Sequence, residues 1–144
     1  MRYPIKSILA TARTVAMVGA SSREEADSNL VLRYLTSHGY RVFPINPHST
    51  EILGHAVYKS LKDLPEPPDV VQVFRPASEA PPIVDDAIAI GAGAVWMQLE
   101  IVNRPAAKKA RAAGLLVVMD RCMKREHERL SQAPGWRQAA RFVS

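Results

Sequence analysis

The chain has 144 residues, of which 47% are hydrophobic and 23% are charged. This length predicts one domain with its own hydrophobic core, and the composition excludes wholesale disorder. No stretch approaches the ~18 uncharged apolar residues of a membrane-spanning helix, and we expect no signal peptide and a cytoplasmic location. The single cysteine, Cys122, excludes an internal disulfide and an all-cysteine zinc site.

Positive charge is concentrated in the C-terminal quarter. Residues 104–144 hold 10 lysines and arginines against 3 aspartates and glutamates, whereas residues 1–103 hold 9 against 11. Such a segment attracts nucleic acid, anionic lipid or a phosphorylated ligand, or it is simply a solvated helix surface.

Five short apolar runs, rich in β-branched residues, predict strands. They lack polar alternation, which is typical of strands buried on both faces of a parallel sheet. The runs are Thr14–Val18, Arg41–Ile45, Asp69–Phe74, Ala94–Gln98 and Leu115–Met119.

Helical patterns lie before, between and after these runs, over 5–12, 27–38, 81–90, 103–113 and 123–130. Asn103 is a plausible N-cap, and residues 50–64 look irregular apart from a short helix at 60–64. The alternation predicts a single α/β domain over residues 1–130. Its fold is a Rossmann-like, doubly wound, mostly parallel five-stranded sheet with helices on both faces. Residues 131–144 are predicted to form a loosely attached C-terminal tail.

The candidate ligand-binding residues follow the predicted strands, because ligands bind beyond the carboxyl ends of the strands in such a sheet. The first loop, 19–26, runs from a strand into a helix, so its backbone N–H groups can hold a phosphate. Ser21, Ser22 and Arg23 add side-chain donors. The loop lacks both the G-x-G-x-x-G fingerprint and the Lys-Ser/Thr ending of a P-loop, so an ordinary strand-to-helix turn is the alternative.

Later loops supply further candidates. Asn46 and Pro47 stand where dinucleotide-binding enzymes carry an acidic ribose ligand, which argues against an NAD enzyme. Arg75 follows the third predicted strand and is well placed for a phosphate. Gln98 and Asn103 offer amide hydrogen bonds, either to a ligand or to the loop backbone.

Catalytic and metal-binding patterns are weak. Cys122 and His127 are five residues apart on a predicted helix, a poor spacing for a hydrogen-bonded dyad, and the four histidines show no metal-ligand spacing. Residues 126–128 are expected to form an exposed helical turn. Asp85 and Asp86 are expected to be solvated charges away from the ligand edge. We therefore predict no catalytic residue and no metal site.

Five sequence blocks occur together and in order. The blocks are Val18–Ser22, Gly39–Pro47, Asp69–Arg75, Ala94–Gln98 and Met119–Cys122 with Glu126 and His127. Together they closely resemble the small bacterial and archaeal CoA-binding proteins. These look like a free-standing form of the CoA-binding Rossmann domain of the succinyl-CoA synthetase alpha subunit. The resemblance covers about residues 13–130 and departs from the family at Glu100, where glycine is frequent.

The resemblance implies a Rossmann fold and coenzyme A as the ligand, but no established reaction. By position, the first loop would take the phosphates, the second would lie near the adenosine, and the remaining residues would line the cleft. The residues implied are Gly19, Ala20, Ser21, Ser22 and Arg23 for the phosphates, Asn46 and Pro47 for the adenosine, and Phe74, Arg75, Pro76, Gln98 and Asn103 along the cleft.

Two classes of function stay open. The first is a module that binds coenzyme A or an acyl-CoA without chemistry of its own, and the second is an enzyme acting on a CoA thioester or a nucleotide-like ligand. Chain length and the missing catalytic cluster favour the first. Nucleic-acid binding through the basic quarter is weaker, since aromatic residues are few and no known motif is present. Cys122 either packs the end of a strand or forms a reversible disulfide with the CoA thiol.

Overall fold

The computed structural model describes residues 3–138. Within this range, five helices surround a five-stranded sheet. The helices are α1 (Ile5–Thr11), α2 (Asp27–Ser37), α3 (Ala80–Ala89), α4 (Arg104–Ala112) and α5 (Met123–Leu130). The strands of the sheet are β1 (Thr14–Val18), β2 (Arg41–Ile45), β5 (Val70–Val73), β6 (Ala94–Met97) and β7 (Leu116–Val118). Every helix in the described range is too short or too polar to cross a lipid bilayer.

The sheet has the order β2-β1-β5-β6-β7, and each pair of neighbours is parallel. From β1 the chain moves outward to β2, then returns to β5 on the other side of β1 and continues outward to β7. The order therefore reverses between β1 and β5. This arrangement confirms the predicted Rossmann-like sheet.

Helices cover both faces of the sheet, which explains the apolar runs of its strands. Helices α3 and α4 pack on one face, whereas α1, α2 and α5 pack on the other. Within β1, Ala16 contributes to the first core, and Val15 and Met17 contribute to the second. A strand buried on both faces cannot alternate with polar residues without burying them.

The segment 50–64 contains structure that the sequence pattern did not predict. Residues Glu51–Ile52 (β3) and His55–Ala56 (β4) form an antiparallel hairpin closed by Leu53 and Gly54, whose φ values are +52° and +79°. Strands of two residues are too short to show a periodicity. The predicted short helix at 60–64 is a 3₁₀ turn, Leu61–Asp63.

The C-terminal segment contacts the body of the domain as far as it is described. The side chain of Trp136 is partly buried and packs against the core on the face of the sheet that α1, α2 and α5 cover. The guanidinium of Arg137 lies 5.5 Å from the ring centroid of Tyr40. The boundary at residue 130 stays a prediction, and the rest of the predicted tail, 139–144, lies outside the described residues.

Candidate ligand-binding site

A cavity of about 490 Å³ lies where the strand order reverses. The loops after β1, β2 and β5 form its walls, together with the segment before the 3₁₀ turn and one side of α3. We call it the first cavity. It is lined by residues 18–21, 45–48, 59–61, 75, 79, 83 and 86. Ligands of open α/β sheets bind at this position. Another depression, of about 510 Å³, lies around Arg13 and Arg41 at the opposite edge of the sheet.

Gly19 brings the loop after β1 against the end of β5. Its φ is +95°, and a Cβ built there would lie 2.9 Å from Arg75 Cδ and 3.0 Å from the Phe74 carbonyl oxygen. Both the backbone conformation and the crowding exclude a larger residue without displacement of the chain. Glycine is therefore required for the close approach that forms one wall of the first cavity.

Backbone donors of this loop are engaged within the protein. The N–H groups of Gly19 and Ala20 donate to the Ile45 carbonyl oxygen at 3.1 and 3.2 Å. The N–H of Ser21 donates to Ser28 Oγ at 3.0 Å. Asn46 Nδ2 donates to the Ala20 carbonyl oxygen at 2.8 Å. The loops after β1 and β2 are thus tied together. An anion in the first cavity must consequently be held by side chains rather than by these backbone groups.

Charged side chains at the rim of the first cavity are balanced. Arg75 Nε and Nη2 donate to the Glu79 carboxylate at 3.1 and 2.9 Å, and this contact raises the pKa of Arg75. Lys59 adds a second cation to the lining. Asp86 also lines the cavity and lies 3.7 Å from Lys62. The expectation that Asp86 lies away from the ligand edge is therefore wrong, because α3 packs against the 3₁₀ turn that carries Lys62.

A second cavity, of about 400 Å³, lies on the other side of the β5 end, between α2 and the start of α5. It is lined by residues 27, 30, 31, 74, 98, 99, 101, 122, 124 and 125. Phe74 lines this second cavity, whereas the next residue, Arg75, lines the first. The two cavities therefore lie on opposite sides of the end of β5, with the first at the switch point.

The residues predicted from the sequence fall into three groups. Gly19, Ala20, Ser21, Asn46, Pro47 and Arg75 line the first cavity, Phe74 and Gln98 line the second, and Ser22, Arg23, Pro76 and Asn103 line neither. All of them stay predicted ligand contacts, but the structure brings together six at the switch point.

Two of the outlying residues have structural partners. Arg23 Nε lies 3.0 Å from the Glu25 carboxylate, and both side chains are largely exposed. Asn103 Oδ1 accepts from the Ala106 N–H at 3.0 Å, which confirms the predicted N-cap of α4. Its Nδ2 donates to the Ala77 carbonyl oxygen at 3.0 Å. The amide of Asn103 is therefore occupied in joining α4 to the loop after β5.

Sequence reasoning missed Lys59 and His48, both of which line the first cavity. Lys59 is placed there because its neighbour Tyr58 pairs with the end of β2. In this pairing the Asn46 N–H donates to the Tyr58 carbonyl oxygen at 3.0 Å. His48 follows the turn in which Asn46 Oδ1 accepts its N–H at 2.7 Å. The Asn-Pro-His sequence of this turn was the available signal for His48. No local pattern marks the pairing that places Lys59.

Glu100 occupies a backbone conformation suited to glycine. Its φ is +67°, and its N–H donates to Asp120 Oδ1 at 2.7 Å. A non-glycine residue is uncommon in this left-handed region. The departure from the family pattern at Glu100 therefore falls in a loop beside the second cavity. A hydrogen bond across the sheet edge fixes the shape of this loop.

His127 corrects another expectation. The helical turn 126–128 was expected to be exposed, but His127 is only 3% exposed. Its Nδ1 lies 2.7 Å from the Tyr34 hydroxyl oxygen, and its Nε2 lies 3.4 Å from Arg137 Nη2. Burial, followed by the positive charges of His38 and Arg137, lowers the pKa of His127 to about 4. The imidazole belongs to this packed cluster, while Cys122 lines the second cavity.

Known proteins share the sequence and the fold of this chain. A family model described as a CoA binding domain matches residues 13–128. The uncharacterized protein YneT of Bacillus subtilis is 34% identical over 123 residues, which cover 85% of this chain and 91% of YneT. The solved structure of a hypothetical protein from Pyrococcus horikoshii is 46% identical, with a TM-score of 0.86 and coverage of 88% of this chain and 89% of the other.

A longer protein shares part of the sequence. The ADP-forming acetate–CoA ligase I of Archaeoglobus fulgidus is 32% identical over 89 residues, which cover 56% of this chain but 13% of the ligase. The similarity is therefore confined to a small part of that enzyme.

Proposed function

This chain belongs to the CoA-binding domain family, and we propose that it binds coenzyme A at the carboxyl edge of its sheet, with the phosphates in the first cavity. The observation that carries the proposal is the convergence of Gly19, Asn46 and Arg75, from the ends of three strands, on one cavity at the switch point. In this arrangement Asn46 and Pro47 lie near the adenosine.

Arg75 is the residue we propose as the main phosphate ligand. The backbone donors of residues 19–21 are engaged, so a charged side chain has to supply the attraction. The Arg75 guanidinium already makes a two-point contact with the Glu79 carboxylate, a geometry that it can repeat with a phosphate. Glu79 holds the guanidinium at the rim and competes with the ligand for it. Lys59 supplies a second cation.

We propose a binding role rather than catalysis. The similarity to the acetate–CoA ligase covers 13% of that enzyme, so its reaction is not carried over to this chain. Cys122 and His127, the conceivable nucleophile and base, also lie in different surroundings. His127 pairs with Tyr34, whereas Cys122 lines the second cavity.

Nucleic acid is a less favourable ligand for the basic quarter. Lys109, Lys124 and Arg129 each lie within ion-pair distance of a carboxylate. Their charges are partly compensated within the protein, which weakens the field available to a phosphate backbone.

Titration calorimetry of coenzyme A against wild type and Arg75→Ala tests the proposal. Loss of a charge-assisted hydrogen bond to phosphate is expected to weaken binding by about 1–3 kcal/mol, roughly 5- to 150-fold. Arg33→Ala is the matched control, because Arg33 is an exposed arginine on α2 that lines neither cavity and is not among the predicted ligand contacts. Its affinity for coenzyme A is expected to equal that of wild type.

Glu79→Gln sharpens the assignment. This variant removes the competing carboxylate and leaves the guanidinium available, so it is expected to bind coenzyme A more tightly than wild type. Mass spectrometry of ligand released from freshly purified protein identifies what the cavity holds. Absence of measurable heat with coenzyme A, in protein shown to be folded, would refute the proposed function. Equal affinities of wild type and Arg75→Ala would remove Arg75 from the site.

A further inference from the structure

The second cavity has a polar group at its base and hydrocarbon around it. The apolar wall consists of Leu30, Val31, Phe74 and Ile101, and the charged residues of the lining are Asp27, Lys124 and Arg125. Gln98 is 5% exposed and lines the same space. A buried amide among hydrocarbon side chains is costly unless each of its polar atoms finds a partner.

One half of the Gln98 amide is satisfied and the other half is not. Gln98 Oε1 accepts from Gln72 Nε2 at 3.0 Å and from the Met123 N–H at 3.1 Å. A backbone N–H can only donate, so this contact fixes which side of the amide carries the oxygen. Gln98 Nε2 is therefore on the other side. Within residues 3–138, Gln98 Nε2 has no hydrogen-bond partner. This nitrogen also keeps some exposure to solvent.

The geometry thus presents an oriented N–H donor to the second cavity. Two hydrogen bonds hold the amide in place, so the donor does not need to be ordered when a ligand arrives. A ligand oxygen placed against Nε2 would supply the acceptor that this donor lacks within residues 3–138, and the apolar wall would cover the atoms attached to that oxygen.

This combination matches a thioester better than an amide. A thioester presents a carbonyl acceptor and no N–H, and the surrounding wall offers hydrocarbon. The amides of a pantetheine arm each bring an N–H that would need an acceptor beside Gln98, whereas the carboxylate in the lining, Asp27, is exposed at the start of α2. The position of the cavity fits as well, because Phe74 and Arg75 are consecutive and line the second and first cavities. A ligand with its phosphates in the first cavity can pass the end of β5 and reach the second.

We infer that the second cavity receives the acyl group of an acyl-CoA, with Gln98 Nε2 donating to the thioester carbonyl oxygen and a short aliphatic chain lying against Leu30, Val31 and Ile101. The inference rests on the proposed function, and it names the ligand class as acylated rather than free coenzyme A. Under this assignment Gln98 is a specificity residue with no catalytic part.

Calorimetry with free CoA, acetyl-CoA and butyryl-CoA tests the inference. Wild type is expected to bind both acylated ligands more tightly than free CoA. It is also expected to bind butyryl-CoA more tightly than acetyl-CoA, by up to about fourfold for each methylene that is buried. Gln98→Glu keeps an oxygen for Gln72 and Met123 but replaces the Nε2 donor with an acceptor. It is expected to lose roughly tenfold more affinity for butyryl-CoA than for free CoA.

A second variant does not depend on the buried amide. Leu30 is 44% exposed at the rim, so Leu30→Trp narrows the cavity without disturbing the core. It is expected to reduce butyryl-CoA affinity to that of free CoA. Leu116 is also 44% exposed but lies at the amino end of β7, so Leu116→Trp is the matched control and keeps the wild-type preference.

The outcomes separate this inference from the proposed function. Equal affinities of wild type for free and acylated CoA would overturn the inference and leave the proposed function standing. Equal losses of both ligands in Gln98→Glu would also overturn it, because they would place a pantetheine amide against Gln98. If neither ligand binds to folded wild type, the proposed function is wrong and the inference falls with it.

Discussion

Buried His127 makes the stability of this protein depend on pH between about pH 6.5 and pH 4. Its pKa is lowered from 6.5 to about 4, first by burial and then by the positive charges of His38 and Arg137, with Glu128 opposing. The imidazole pairs with the Tyr34 hydroxyl, and it contacts the Trp136 ring edge-on, with the two ring centroids 5.3 Å apart. The folded protein therefore holds this imidazole neutral at pH values where the unfolded chain protonates it.

The sign of the effect follows from proton binding. Between about pH 6.5 and pH 4 the unfolded state binds a proton that the folded state does not, so the free energy of unfolding falls as the pH falls. Above about pH 6.5 both states are neutral and His127 contributes no slope. One pKa unit corresponds to about 1.4 kcal/mol, so His127 alone lowers stability by up to about 2 kcal/mol between pH 7 and pH 5.

The assay is urea denaturation of wild type and His127→Phe at several pH values between about 7 and 5. Phenylalanine keeps an aromatic ring against Trp136 but cannot titrate. It is expected to be less stable at pH 7, by about 1 kcal/mol, because the Tyr34 hydroxyl loses its partner. It is also expected to lose most of the pH slope. His48→Gln, at an exposed position, is the control and should retain the wild-type slope.

Two results would refute the reasoning. If His127→Phe shows the wild-type slope between pH 7 and pH 5, another group titrates in this range. If wild type is equally stable at both pH values, His127 is not held neutral by the fold.

Four further outcomes are expected. Gly19→Val should lower the melting temperature as well as CoA affinity, because its Cβ meets the chain at Phe74 and Arg75 in a left-handed conformation; wild-type stability in thermal denaturation would contradict this. Asn103→Ala should cost about 1–2 kcal/mol of stability through the lost cap; an unchanged midpoint of urea denaturation would show that the cap contributes nothing. In direct competition, coenzyme A should displace NAD, and tighter NAD binding would reverse the choice of ligand. Incubation with CoA disulfide should give a mixed disulfide at Cys122 with release of one CoA thiol, detected by intact mass and removed by reductant; no adduct on folded wild type would leave Cys122 as a packing residue.

Local sequence was sufficient for most of the secondary structure. The predicted strands at Thr14–Val18 and Arg41–Ile45 have the observed bounds, and Asn103 caps α4 as expected. Each depends on interactions within a few residues, such as side-chain burial on a strand or a cap hydrogen bond to the third residue of a helix. The β3–β4 hairpin was missed because two-residue strands carry no such pattern.

The candidate site could be predicted by loop but not by residue. Parallel strands place their carboxyl ends at one edge, so the loops after β1, β2 and β5 were correctly located. Within those loops the sequence did not separate Arg75, which lines the first cavity, from Arg23, which pairs with Glu25 outside it. Both arginines follow a strand, and only the path of each loop distinguishes them.

By itself the sequence determined the strands of the main sheet and the helices α1 to α5, that the sheet is buried on both faces, and which edge carries the loops of the candidate site. The tertiary structure decided which polar groups are free to meet a ligand. Asn46 is engaged by a residue 26 positions earlier, and His127 by Tyr34, 93 positions away. Hydrophobic periodicity is a property of neighbouring residues, whereas these partners are brought together by the packing of distant elements. For the same reason the oriented donor of Gln98 exists only once β5, β6 and α5 have assembled.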